Sequence, residues 1–334
     1  MDKIQSKDDL EPRSSGVKIH QIHYVQIEGL ALMKIIKHCH EEGDSSIEVA
    51  QGALLGMVVN NRLEITNCFA FPKNYDDDEE YQLDMMRNLK LVNVDHYHVG
   101  WYQSSEIGSF LSASLLESQF HYQISIEESV VLIFDNAKTD RGFLALKAYR
   151  LTPQAIAMYK EGEFTLEAVK NHKVGYENVL LEIPLRIRNS SLTNILLSDL
   201  GVLIPPQEGN KFLDLGSANV LENQVRSLMD CVDDLNQETM KFNRFQQAVA
   251  RQMQEKNKYL QKVAQENAVR ASKDEPPLPE EDLSKLFKAL PVPTRLLPIT
   301  LAGKVEAYSQ NLSEFCLQSL AKLYLVEALH SKKT

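Results

Sequence analysis

The sequence predicts an α/β domain followed by an all-α C-terminal region with a long helix and a final bundle helix. Three observations carry that reading. Between residues 20 and 152, apolar runs of strand length are interleaved with short stretches of helical periodicity. After Thr152-Pro153 the patterning turns helical, and from Leu221 to Val263 one apolar seam continues with no Gly or Pro inside it. The 334 residues suffice for one substantial core plus a second region. A content of 43% hydrophobic and 25% charged residues is that of a globular chain. The net charge of -10 argues against nucleic-acid binding through the overall field, although a local basic patch stays compatible with it.

Residues 1–19 form a polar tail, expected to be disordered and without the apolar core of a secretory signal. The α/β domain is expected over residues 20–152. A strand at Ile22–Ile27 comes first, then a helix whose face carries Leu32, Ile35, Ile36 and Cys39. Next is a hairpin: a run from Ala53 to Val59, an Asn60-Asn61 turn, and a return from Leu63 to Phe71. Asn tolerates positive φ, so the pair suits a tight primed turn. The acidic loop Asp76–Glu80 is read as solvated, placing negative charge at the start of a helix from Tyr81 to Val94. On that helix Leu83, Met86, Leu89 and Lys90 are spaced for one face. A strand at His96–Tyr102, a helix at Phe110–Tyr122 and strands at Val130–Phe134 and Phe143–Tyr149 complete the domain.

Residues 153–216 read as connecting helices and a loop, with an extended stretch at Leu180–Ile187 and a helix at Ser190–Leu200. Residues 217–271 form the long amphipathic helix, about 80 Å at 1.5 Å per residue. No small domain can bury such a stripe along its whole length, so Leu221, Val225, Leu228, Val232 and Leu235 are candidate partner contacts. Residues 272–298 are a Pro-rich linker with a short helix, and 299–334 a last helix with Leu301, Val305 and Leu312 on the same kind of seam. The stretch from Lys241 to Arg270 is locally basic, which fits either RNA backbone contact or a solvated helix face. The four cysteines lie far apart, as free thiols in a reducing compartment would, and no apolar run reaches the length of a membrane span.

One motif carries chemical information. Gly100-Trp101-Tyr102-Gln103-Ser104-Ser105-Glu106 resembles the G-W-Y-H-S-H-P strand of JAMM-type zinc hydrolases, which continue with S-x-x-D. Two imidazoles two residues apart on a strand face the same way, and with an aspartate they leave one zinc position for an activated water. Here Gln103 and Ser105 stand at the histidine positions, Ser104 lies between them, and the aspartate falls at Leu115 or Leu116. Amides and hydroxyls are poor zinc ligands, and leucine is none. Upstream, Gly52–Gly56 matches a G-x-x-x-G strand. Glu48, the candidate general base, sits one residue away from its usual slot, which Val49 fills. His96 and His98 could supply replacement imidazoles, but no nearby aspartate completes the set. His38 and His40, two apart on a helix, diverge.

These residues resemble an MPN domain of the inactive type. With His98–Ser104, Glu127–Ile133, Leu146–Pro153 and Glu275–Phe287 added, the chain resembles the h subunits of eukaryotic translation initiation factor 3 from about Val25 onward. The resemblance implies no enzyme activity and no cofactor. It also implies a cytoplasmic scaffold that pairs with a second MPN-domain subunit and enters a helical bundle with PCI-domain subunits. Contact with the 40S ribosomal subunit would come through the complex, supporting 43S assembly and mRNA recruitment, with any mRNA contact indirect. The apolar face at Leu32, Ile35 and Ile36 is one candidate for the MPN pair. A zinc isopeptidase rearranged around His96 and His98 is the reading from another class. An MPN scaffold of the proteasome lid or signalosome is the third.

Overall fold

Asn60 and Asn61 sit at φ of 50° and 62°, the left-handed pair that a two-residue hairpin with right-handed strand twist requires. They join β2 (Gln51–Val59) to β3 (Arg62–Ala70) in the computed structural model. The described residues are 22–43, 49–72, 78–92, 97–105, 110–139, 144–162, 164–203, 218–272, 276 and 286–331. The tail, Glu48, Asp76-Asp77, His96, Glu106, residues 204–217 and residues 273–285 apart from Pro276 therefore lie outside the description.

Around the hairpin stand β1 (Tyr24–Ile27), β4 (His98–Ser105), β5 (Val130–Asp135), β6 (Leu146–Leu151), β7 (Leu180–Ile183) and β8 (Leu185–Ile187). Their order is β7-β6-β5-β4-β2-β3-β1-β8. Ile183 pairs with Ala148 at one edge, whereas Leu185, two residues on, pairs with Val25 at the other. One short segment thus closes both edges, and the sheet must curl until they meet at Pro184. Proline is tolerated there because it lies between ladders rather than inside one, and its carbonyl accepts from Val25 N at 2.9 Å. The sheet therefore does not end at Leu151, where the sequence reading closes the α/β region. Residues 180–187 complete it, a non-local pairing that local patterning does not reveal.

Helices cover the sheet in three places. Helix α1 (Gly29–Gly43) lays Leu32, Ile35 and Cys39 into a core with Ile27, Leu54, Ile65, Tyr102, Leu132 and Phe134. That face is spent on its own sheet, so Leu32 and Ile35 are not open to an MPN partner; Leu30 and Met33 point outward instead. Helix α2 (Asp78–Leu91) buries Tyr81, Met85 and Leu89 against Leu55 and Phe69, while Leu83 is exposed. The sequence reading chose a neighbouring stripe, because apolar residues lie on both sides of this helix. Helix α3 (Ala113–Ser125), capped by Ser112, packs on β5 and β6, and the short α4 (Asn136–Thr139) lies beside α1. Helices α5 (Pro153–Glu161) and α6 (Leu166–His172), capped by Thr152 and Thr165, join α3 over Trp101, Val131 and Ile133.

The rest is helical. Helix α7 (Ser191–Leu203) buries none of its residues, although Leu192, Ile195, Leu196 and Leu203 share one side. Helix α8 runs from Ala218 to Ala271 and α9 from Leu296 to Ser331. Tyr259 stands near Phe287, Arg295 over Phe242, and Lys304 close enough to Cys231 to act on its thiol. Partner numbers rise along one helix as they fall along the other, so α8 and the chain leading into α9 form an antiparallel hairpin. Extending that pairing puts Leu317 opposite the first residue of α8. The remaining α9 residues overhang, and Leu317, Leu320, Leu323, Tyr324 and Leu329 are all exposed.

Candidate functional site

The Gly-Trp-Tyr strand keeps every residue that packing needs. Gly100, at φ 155°, lies so close to β5 that a Cβ would fall on the Val130 carbonyl. A Cβ on Gly52 would meet the Tyr102 ring at 2.5 Å, so that glycine makes room for the aromatic beside it. Trp101 Nε1 donates to Gln119 Oε1 at 2.8 Å. Gln119 Nε2 donates on to Gln123 Oε1 at 3.1 Å and Ser129 O at 3.2 Å, and Gln123 Oε1 also accepts from Leu151 N at 2.7 Å. This buried amide relay ties β4 to α3 and β6, and each fully buried polar atom in it is matched. Tyr102 OH meets His38 Nδ1 at 2.9 Å, and burial pushes its phenol well above the usual range.

The former ligand positions converge as the strand spacing predicts, without ligand chemistry. Gln103 and Ser105 are both buried on the side of Trp101. Gln103 Oε1 accepts from Gln51 Nε2 at 3.5 Å, and Ser104 Oγ, on the opposite side, accepts from Ala50 N at 2.8 Å. Leu115 and Leu116 are core residues beneath Trp101. This donor set does not fit zinc: it offers an amide, a hydroxyl and alkyl groups where a thiolate, imidazole or carboxylate set is needed. Among the described residues no group of three or more His, Cys, Asp or Glu is placed to hold a metal.

His98 does not repair the site. Its ring lies edge-on to Tyr122 at 5.3 Å, and Tyr122 stacks on Trp101 at 5.9 Å. Burial lowers its pKa from 6.5, holding the imidazole neutral, with a backbone hydrogen bond at Gly100 opposing that shift. His96 lies outside the described residues, as does Glu48. His40 Nδ1 approaches Asn136 Oδ1 at 3.4 Å on the surface, so the two α1 histidines do diverge.

Ser105 opens instead onto a cavity of about 140 Å³. Asp135 from the end of β5, Lys138 from α4, Lys147 and Tyr149 from β6, and Gln310, Asn311 and Glu314 from α9 share it. Lys138 Nζ bonds Glu314 Oε2 at 2.8 Å across its mouth, and Asp135 Oδ1 accepts from Lys138 N at 3.0 Å. The final helix therefore lies against the cleft onto which Ser105 opens. None of these wall residues was identified from sequence. Asp135 neighbours Ser105 only through the parallel β4–β5 ladder.

The same helix changes the reading of the seam. Leu301, offered as a partner contact, is 7% exposed and packed inside the chain, because α9 lies on the barrel before it leaves it. Leu221, Gln224, Leu228, Cys231 and Leu235 form the covered stripe of α8, while Val225 and Val232 sit at its open edge. Val305 and Leu312 are half-buried.

Fold and cleft together define an MPN-type domain whose metal-ligand positions carry Gln103, Ser105 and Leu116, followed by a helical region. Residues 20–128 match the family described as JAB1/Mov34/MPN/PAD-1 ubiquitin protease, and residues 139–334 match the C-terminal region of eIF3h. The chain is 67% identical over 314 residues to the H subunit of eukaryotic translation initiation factor 3 from Bombyx mori, with 93% of each chain covered. It is 62% identical to the corresponding H subunit from Aedes aegypti, covering 93% of this chain and 94% of that one. The chain belongs to the family of H subunits of eukaryotic translation initiation factor 3.

Proposed function

We propose that the chain is a non-catalytic, cytoplasmic scaffold subunit of the translation initiation factor 3 complex. In this reading its barrel pairs with a second MPN-domain subunit, and its helices enter a bundle with PCI-domain subunits. The assembled factor then meets the 40S subunit, supports the 43S complex and recruits mRNA. The single observation that carries the reading is the Trp101–Ser105 strand, where every packing residue persists and no metal ligand does. Support for the assembly role comes from α7 and the overhanging end of α9, whose apolar side chains have no cover among the described residues.

Cutting the chain at Ala218 would also remove α9 and expose Leu296 and Ile299 of the barrel core, so surface substitutions make the cleaner test. Affinity purification with mass spectrometry would compare the intact chain with the pairs Leu192→Asp/Leu196→Asp and Leu320→Asp/Leu323→Asp. Loss of initiation-factor subunits from either pair supports the scaffold. Retention of the full set by both counts against it, and recovery of proteasome-lid or signalosome subunits would move the scaffold to another assembly. Elemental analysis tests the remaining reading, since near-stoichiometric zinc that survives a weak chelator would restore a hydrolase.

A further inference from the structure

The second half of α8 carries a surface that the scaffold reading does not use. At 100° per residue, Arg244, Arg251, Lys258 and Lys262 fall within about 40° of one another and span about 27 Å of helix. All four are exposed, and none has an ion-pair partner among the described residues. The charge is segregated: the first half of the same helix is acidic, with Asp230, Asp233, Asp234 and Glu238, and the whole chain carries -10.

What lies between the cations matters as much as the cations. Gln247, Gln254, Gln261 and Gln265 occupy the same side, and no apolar side chain interrupts it before Val269. A packed helix partner needs an apolar core to its interface, and this side offers none. The chain's own contacts are made on another side, where Arg295 lies 4.4 Å over the Phe242 ring and Gln252 Nε2 donates to Lys288 O at 2.7 Å. Arg244 and Arg251 also flank a groove of about 390 Å³ with Gln247, Gln252, Glu255 and Leu290. Guanidinium and ammonium groups interleaved with amides are the side chains that contact phosphates and sugars. Glu255 is the one carboxylate in the groove and limits the field without cancelling it.

We infer that this stripe binds the phosphate backbone of RNA directly, without sequence preference. The inference stands apart from the scaffold reading, because the apolar surfaces of α7 and α9 play no part in it. Single strands lose about 0.7 in log–log salt slope per phosphate contact, so four contacts predict a slope of about -2.8 and roughly a fiftyfold loss from 50 to 200 mM salt.

The test measures binding of a labelled, unstructured 20-nucleotide RNA by the full chain, wild type against Arg244→Gln/Arg251→Gln/Lys258→Gln/Lys262→Gln. Gln keeps helix propensity close to that of Arg and Lys, which circular dichroism checks. A charge-matched control replaces Lys37, Lys90, Lys160 and Lys170, exposed on the α/β half, with Gln. At least tenfold weaker binding and a flattened slope for the stripe variant alone, with ultraviolet cross-links in residues 243–265, is the expected result. Equal weakening by both variants would reduce the effect to net charge and overturn the proposal. Unchanged RNA binding combined with loss of co-purifying subunits from the stripe variant would overturn it in favour of an acidic protein partner.

Discussion

The barrel and the helices treat apolar surface in opposite ways. In the barrel, β5 is buried along its whole length and helices cover the sheet in three places, so the chain satisfies itself. In the helical half, α7 buries nothing and α9 runs past the end of its own partner. The difference separates surface that the fold closes itself from surface that it leaves open. Gln103, Ser105 and Leu116 offer no zinc-ligand set, whereas Gly52, Gly100, Trp101 and Tyr102, which the packing requires, are in place. The helical half leaves apolar side chains of α7 and α9 exposed among the described residues.

That contrast can be broken at several points. Phe134→Ala should cost about 3–5 kcal/mol, because it empties a fully buried ring position in a core that cannot relax around it. A drop in the denaturation midpoint as small as that of a surface change would mean the barrel is not self-sufficient. Trp101→Phe keeps the ring but removes the donor to Gln119 Oε1, leaving a buried amide oxygen unmatched. Chemical denaturation should show a loss of about 1–3 kcal/mol.

Acid should act on the barrel through His98. Its pKa is lowered in the folded chain, so the unfolded chain binds more protons between that value and 6.5. Its contribution is complete above pH 6.5 and is lost as pH falls through the lowered value. His98→Phe should remove this part of the pH dependence of stability. At the small end, Leu192→Ala in α7 should move stability by no more than about 0.5 kcal/mol. A larger loss in thermal denaturation of the isolated chain would show that α7 is packed in cis. Breaking the exposed Lys138–Glu314 pair with Glu314→Ala should likewise cost under about 1 kcal/mol.

Local features were legible in the residues, and non-local ones were not. The Asn60-Asn61 turn, the Thr152-Pro153 helix start and the ends of α8 are written in consecutive residues, and the structure places them within a residue or two of expectation. Residues 180–187 read correctly as extended, but pairing with strands 30 and 160 residues away leaves no local trace. On α8 the expected and covered stripes share Leu221, Leu228 and Leu235. They differ at Val225 and Val232 against Gln224 and Cys231, because a partner helix, not hydropathy, decides which edge is closed. The ligand positions were readable through the resemblance of Gly100–Glu106 to the zinc-hydrolase strand, with strand spacing setting only their shared face. The cavity wall was not, since α9 supplies part of it from two hundred residues downstream.

The meeting of the sheet's edges at Pro184 also sets a timetable. At about 5–20 residues per second, some 160 residues and roughly 8–30 s of synthesis separate Ile27 from its ladder neighbour Ile187. Throughout that interval β1 has only β3 beside it, and Val25 N waits for the Pro184 carbonyl. The nascent domain is thus a sheet with two open edges until its last seven strand residues emerge, and that window is when a chaperone has the most to protect.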